Sequence, residues 1–220
     1  MTHIIIESLY KIYQGTVETV ALENFNEKFD KGEAVAIAGP SGSGKTSLLS
    51  CIGGVLKPTS GRILIDGNDI TKLSDDELVV YRRDQVGLIY QDFNLIDEFS
   101  IYENVALPML IANKDKSAID ERVSELLETL DIQRYVKTFP NYLSGGEKQR
   151  VAIAVALAND PDIILADEPT GNLDLVSREN VIDVLISKCK DMNKALLIAT
   201  HDPFIMEKVD RVIDLPKLIR

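Results

Sequence analysis

Nearly unbroken apolar runs recur along the chain: AVAIA at 34–38, VGLIY at 86–90, DIILA at 162–166 and ALLIA at 195–199. Segments of helical periodicity lie between them. A strand with one face in water alternates polar and apolar residues, whereas a strand covered on both faces is apolar throughout. The runs therefore predict an α/β fold built on a mostly parallel sheet with helices on both faces. HIII near the start, RILI at 62–65 and RVIDL at 211–215 are further strand candidates. One helix is predicted over 117–130, with Ile119, Val123, Leu126, Leu127 and Leu130 on one stripe. A second runs from Leu173 to about Cys189, and a third starts at Ser144 and carries EKQRVAIAVALA. Residues 92–142 show helical patterns and no strand, and they fall between two strands. They are expected to form an inserted helical lobe on a core made of 1–91 and 143–220. KPTSG at 57–61 reads as a turn.

The 220 residues suit a single α/β domain, and an apolar fraction of 45% is enough for a core that needs no staples. A net charge of −11 gives no general attraction for polyanions, so no nucleic-acid partner is expected. Cys51 and Cys189 fit no metal or redox spacing and read as buried thiols of a reducing compartment. The start, MTHIIIESLYK, lacks the basic and apolar regions of a secretory signal. The most apolar stretch, VAIAVALA, is far short of the ~20 residues of a membrane span.

GPSGSGKTS, from Gly39 to Ser47, has almost nothing to pack with. It comes after a predicted strand and precedes a predicted helix, the setting in which G-x-x-x-x-G-K-[ST] binds phosphate. The glycines let the backbone of Gly39, Pro40, Ser41, Gly42, Ser43 and Gly44 curl so that the N–H groups of its residues other than proline point inward. The helix that starts near Lys45 adds the positive end of its dipole. Lys45 supplies a mobile charge for the β- and γ-phosphates, and Thr46 a hydroxyl for Mg²⁺. A Gly/Ser-rich surface turn would share the composition but not this context. In DIILADEPT, Asp167 and Glu168 stand at a strand end, where an open α/β sheet faces its ligand. Asp167 is placed to hold Mg²⁺ through water, and Glu168 to act as general base on the attacking water.

YLSGGEKQR, at 142–150, resembles the signature motif of ATP-binding-cassette (ABC) ATPases. Ser144 also reads as a helix N-cap, with Glu147 closing a capping box, and both readings hold together. Other family elements come in order. Gln91, in IYQDF, resembles the Q-loop glutamine that touches Mg²⁺ and relays to a transmembrane partner. GNLD, ending at Asp174, resembles the D-loop. His201, in IATHD, resembles the switch histidine at the γ-phosphate, and Tyr13, in YKIYQG, the aromatic that stacks on adenine. ENVALPM, RRDQVGLIYQDFNLI and LADEPTGNLD are similar to the lipoprotein-release and macrolide-export group, which includes the cell-division ATPase of that type. Members of this group work beside membrane subunits. Val155 departs from the arginine usual there, Lys-Thr-Ser replaces Lys-Ser-Thr, and DLPKLIR lacks the usual glycine turn and final strand pair.

The resemblance implies a P-loop NTPase core with a mostly parallel sheet, an N-terminal antiparallel β subdomain and the helical lobe. It implies an ATPase with ATP and Mg²⁺ as cofactors. Two copies would sandwich ATP, with Ser144, Gly145 and Gly146 of one copy closing on the phosphates held by Gly39–Ser47 of the other. Thr46, Gln91 and Asp167 would serve the metal, and Glu168, His201 and Gln91 the chemistry. The lobe would touch a transmembrane permease subunit, leaving this chain cytoplasmic and peripheral on the membrane. The alternative is a soluble ABC ATPase acting on nucleic acid or ribosomes. Chromosome-acting members carry a long coiled coil between P-loop and signature, whereas Gln91 and Ser144 are only 53 positions apart (144 − 91) with no heptad run.

Overall fold

A computed structural model describes residues 3–15 and 18–218 of the chain. Two sheets form its frame. The antiparallel sheet holds β1 (His3–Tyr13), β2 (Thr19–Asp30), β4 (Ser60–Ile65) and β5 (Asn68–Asp69), in the order β2-β1-β4-β5. The parallel sheet holds β3 (Ala34–Ala38), β6 (Val86–Ile89), β7 (Ile163–Asp167), β8 (Ala195–Thr200) and β9 (Arg211–Asp214), in the order β6-β7-β8-β3-β9. The helices are α1 (Lys45–Ile52), α2 (Asp75–Gln85), α3 (Ile101–Ile111), α4 (Lys116–Thr129), α5 (Gly145–Leu157), α6 (Leu175–Asp191) and α7 (Pro203–Lys208).

The parallel strands have two dry faces, which is why their sequences do not alternate. Ile163 and Leu165 of β7 join one core with Val35 and Ile37 of β3, Leu48 and Ile52 of α1, and Phe29 of β2. Ile164 and Ala166 point the other way, into a second core with Val151 and Ile153 of α5, Met109 of α3 and Leu185 of α6. Helix α1 packs on β7, β8 and β2, so it lies between the two sheets. Arg211 ties β9 to the same layer through Glu27 (2.8 Å) and Glu33 (2.9 Å).

Six of the seven expected strands lie within about two residues of their predicted limits. HIII is the start of a longer strand that reaches Tyr13. RILI belongs to the antiparallel sheet. The strand β2 was not expected. Its apolar period is broken where Asn24 takes a left-handed conformation (φ 47°) and its pairing with β1 shifts register three times. Segment 92–142 contains α3, α4 and two short 3₁₀ turns, and no strand among its described residues. Cys51 and Cys189 are buried free thiols, pushed up to about 11 and about 12 by burial. Val155 is half-buried against the α3–α6 core.

Gly87 shows how tightly the layers meet. A Cβ there would lie 2.4 Å from the Ala156 carbonyl oxygen and 2.7 Å from Ile164 Cδ1. The backbone of α5 approaches β6 at this point more closely than any side chain permits. Gly87→Ala is therefore expected to overpack the layer and to cost about 1–3 kcal/mol, read as a lower urea midpoint.

Candidate nucleotide site

Four parallel strands end on one edge of the sheet, and the segments that leave their ends make the site. After β3 the chain enters the 39–47 loop. Its curl depends on glycine at two close approaches. Gly44 (φ 95°) lies so near β2 that a Cβ would stand 2.2 Å from the Ala21 carbonyl oxygen, and one on Gly39 (φ 150°) would stand 2.5 Å from Leu215 O. Helix α1 then starts at Gly44 with no side chain bonded to its first turn, so its leading N–H groups have no side-chain cap. The Lys45 ammonium, on a nearly buried side chain, donates to the carbonyls of Gly39 (2.7 Å) and Pro40 (3.2 Å) and lies 4.0 Å from Glu168 Oε1. Ser43 Oγ is buried and has no hydrogen-bond partner among the described residues. An uncapped helix start, an unpartnered hydroxyl and a lysine whose hydrogen bonds go to main-chain oxygens form a donor set that fits a polyphosphate.

Glu168 leaves β7 in a left-handed conformation (φ 46°), with its N–H bonded to Ala199 O of β8 (2.9 Å). Non-glycine residues forced into this region concentrate at functional sites. The turn aims the carboxylate at His201, whose Nδ1 is 2.8 Å from Glu168 Oε1. His201 Nδ1 carries the proton when Glu168 is ionised. Burial raises the Asp167 pKa above the ordinary carboxylate value, against a hydrogen bond from Thr46, with the nearby Glu168 charge raising it and Lys45 lowering it. Thr46 and Asp167 both line the cleft, and their oxygens fit a hard divalent cation. Tyr13 reaches the loop from β1, with its hydroxyl 2.9 Å from Ser47 Oγ and one ring face under Lys11 Nζ, 5.0 Å from the centroid.

An open cleft of about 940 Å³ brings together Tyr13, Ser41–Ser47, Gln91, Asp167, Glu168 and His201. Gly39 and Pro40, at the start of the loop, are not among the residues that line the cleft. Ser144 and Gly146 open instead onto a separate recess of about 220 Å³, beside α6. The cleft also receives residues that the sequence did not single out. Arg178 is bonded to Asp202 (2.9 Å), and Thr170 and Gly171 extend the Glu168 turn. Asp202 is the residue directly after His201, so adjacency was the one available signal. Arg178 carried none.

A polyphosphate-fitting loop between strand and helix at the end of a parallel sheet defines the class: a P-loop nucleoside triphosphatase. Within it, the chain belongs to the ABC transporter family, whose profile matches residues 22–171. The lipoprotein-releasing system ATP-binding protein LolD of Legionella pneumophila (strain Lens) is 43% identical over 216 residues, covering 97% of this chain and 95% of that one. The dimeric structure of MJ0796, described as a bacterial ABC transporter cassette, superposes with a TM-score of 0.87 at 40% identity, covering 97% of this chain and 94% of that one. A dimeric post-hydrolysis state of MJ0796 bound to ADP and Pi matches equally well, with a TM-score of 0.87 at 39% identity, covering 96% and 94%. This chain is an ATP-binding, ATP-hydrolysing subunit of that family, and its relatives favour the transporter role over the soluble alternative. No helix among the described residues is long and apolar enough to cross a membrane.

The start of α5 is tied from both sides of one carboxylate. Ser144 and Glu147 form the expected capping box, with Glu147 Oε2 accepting from Ser144 N (2.9 Å) and Oγ (2.8 Å). Glu147 Oε1 accepts from the Tyr135 phenol and from Arg134 (3.4 Å). Chiefly through Tyr135, the Glu147 carboxyl is held well below its ordinary 4.5, at about 2. A depressed carboxyl stabilises the fold above its unfolded value and loses that contribution as pH falls toward the folded one. Glu147→Gln is therefore expected to lower stability near neutral pH, yet to lose less than the wild type between about pH 5 and pH 3, as measured by urea midpoints across that range.

Proposed function

We propose that two copies of this chain enclose two ATP molecules and hydrolyse them to drive a membrane transport or mechanotransmission partner. The observation that carries this reading is the separation of Ser144–Gly146 from the cleft. One chain supplies a phosphate cradle on one side only, and a second helix start, that of α5, opens onto a separate recess. A copy placed head to tail would bring that helix start against the γ-phosphate, closing both pockets at once.

In this reading the amides of Ser41–Gly44, with Lys45, hold the β- and γ-phosphates, and Tyr13 stacks on the adenine through the ring face not covered by Lys11. Thr46, Gln91 and Asp167 would hold Mg²⁺, which supplies neutralising charge on the phosphate oxygens. Glu168 accepts a proton from the attacking water as the water oxygen bonds to the γ-phosphorus and the bond to the β,γ-bridging oxygen breaks. His201, already bonded to Glu168, orients that carboxylate and faces the γ-phosphate. Loss of phosphate removes the group that both halves grip, so turnover converts a closed dimer into an open one. The 92–142 lobe, next to Gln91, would pass that motion to a permease subunit. The chain would then sit peripherally on the cytoplasmic face of a membrane.

Glu168→Gln is expected to bind ATP normally, to lose roughly 10²–10⁴-fold in turnover, and to accumulate as an ATP-bound dimer in light scattering. A monomer at concentrations where ATP is bound would sink the sandwich. Lys45→Ala is expected to weaken ATP binding itself by about 10- to 100-fold, read by titration with a fluorescent ATP analogue.

A further inference from the structure

Gln91 and Glu168 leave adjacent parallel strands, β6 and β7, and their segments meet again beyond the strand ends at Gly171 and Asn172. The Gly171 N–H closes a turn onto Glu168 O (3.0 Å). The Gln91 side chain lies directly against Gly171: a Cβ there would stand 2.8 Å from Gln91 Nε2 and 2.9 Å from its Cδ. Asn172 then grips the same segment with both ends of its amide. Its Nδ2 donates to Gln91 O (3.0 Å) and to Asp92 Oδ1 (3.0 Å), and its Oδ1 accepts from Gln91 Nε2 (3.4 Å). Immediately afterwards Phe93 and Asn94 take left-handed conformations (φ 58° and 51°), which turns the chain away. The clasp therefore sits at the last point where the Gln91 segment is still beside the Glu168 turn.

These residues are exposed, and hydrogen bonds in water contribute little to stability. Their geometric effect is larger. Two of the bonds fix the segment that carries Gln91, and the third meets its side-chain amide, so Gln91 is held relative to the general base through a turn of four residues. We propose that Asn172, with Gly171 clearing the space, is a positioning residue that sets where the Gln91 amide stands. The metal-side ligand and Glu168 then move as one unit. The inference rests on the reading of Gln91 as a metal-side ligand. It adds the residues that hold Gln91 in register.

The test uses the full chain in a Glu168→Gln background, so that ATP persists, with Mn²⁺ as the probe. Mn²⁺ affinity of the ATP complex is read by electron paramagnetic resonance, and ATP affinity separately at saturating Mn²⁺. Asn172→Ala is expected to weaken Mn²⁺ binding by roughly 10- to 100-fold, while ATP affinity at saturating metal is unchanged. Gly171→Ala displaces the Gln91 amide by contact rather than by release, and is expected to give the same loss. If Asn172 acts through Gln91, Q91A/N172A shows no loss beyond that of Q91A. An Asn172→Ala chain with wild-type Mn²⁺ affinity, or an equal further loss in the Q91A background, overturns the inference while leaving Gln91 as a metal ligand. Unchanged Mn²⁺ affinity in Q91A overturns the reading of Gln91 itself, and the clasp's role falls with it.

Discussion

The parallel direction of the five central strands is the constraint on which the site depends. Because they run the same way, β6, β7, β8 and β3 all end at one edge, and the segment after each is delivered there. The registers make the alignment close. Ile89 pairs with Ala166, Asp167 with Ala199 and Ala38 with Thr200. Gln91, Glu168, His201 and the loop at Gly39 are thus each one or two residues beyond a paired position. The 2.8 Å contact between His201 and Glu168 needs no special tether, since β7 and β8 are neighbours with those residues at their ends. A slip of one residue between β7 and β8 would turn every side chain of one strand to the opposite core and would undo that contact at the same time.

The second sheet serves this edge from the side. Its β2 comes so close to the start of α1 that residue 44 has no room for a side chain, and its β1 carries Tyr13 to Ser47. The phosphate loop is therefore clamped between two sheets, which allows a stretch with almost no packing side chains to hold one shape. The electrostatics obey the same geometry. An acidic chain concentrates donors at one point, with Lys45 nearly buried, hydrogen-bonded to main-chain oxygens and 4.0 Å from Glu168, while Asp167 is partly desolvated. A γ-phosphate carries more charge than the carbonyls and the one carboxylate beside the ammonium, and a cation beside Asp167 would oppose the upward shift that burial gives its carboxyl.

Much of this was legible in the residues because it depends on local order. An apolar run leading into glycines, or into two carboxylates, or into Thr-His, states both the strand and the group that leaves its end. The antiparallel sheet was less legible. Its β2 is bulged, so its period fails, and only the family resemblance implied the subdomain. Helices α2 and α3 carry a local signal of their own. Ser74 with Glu77, and Ser100 with Glu103, form the same capping box as Ser144 with Glu147. Pairings made by the fold were beyond reach. Arg178 meets Asp202 from 24 positions away, and Asn172 meets Gln91 from 81 (202 − 178 and 172 − 91), with no periodicity linking either pair.

The α5 helix start raises a further electrostatic problem, and the structure contains its solution. In the proposed dimer this end meets a phosphate, yet its third position is a glutamate, a poor neighbour for an anion. The capping box already occupies one oxygen of Glu147, and the Tyr135 phenol and Arg134 guanidinium face the other. Arg134 also lies over the Tyr135 ring, 4.7 Å from its centroid. The carboxylate charge is thus directed inward, onto the helix end and the turn after α4. The N–H groups of the glycine pair remain as the outward-facing partial charge. Ser144 does double duty for the same reason: its hydroxyl completes the box that turns Glu147 away from the space an anion would enter. A serine, two glycines and a glutamate at this spacing therefore satisfy folding and anion contact together, because the group that caps the helix is also the group that must be kept from repelling the phosphate.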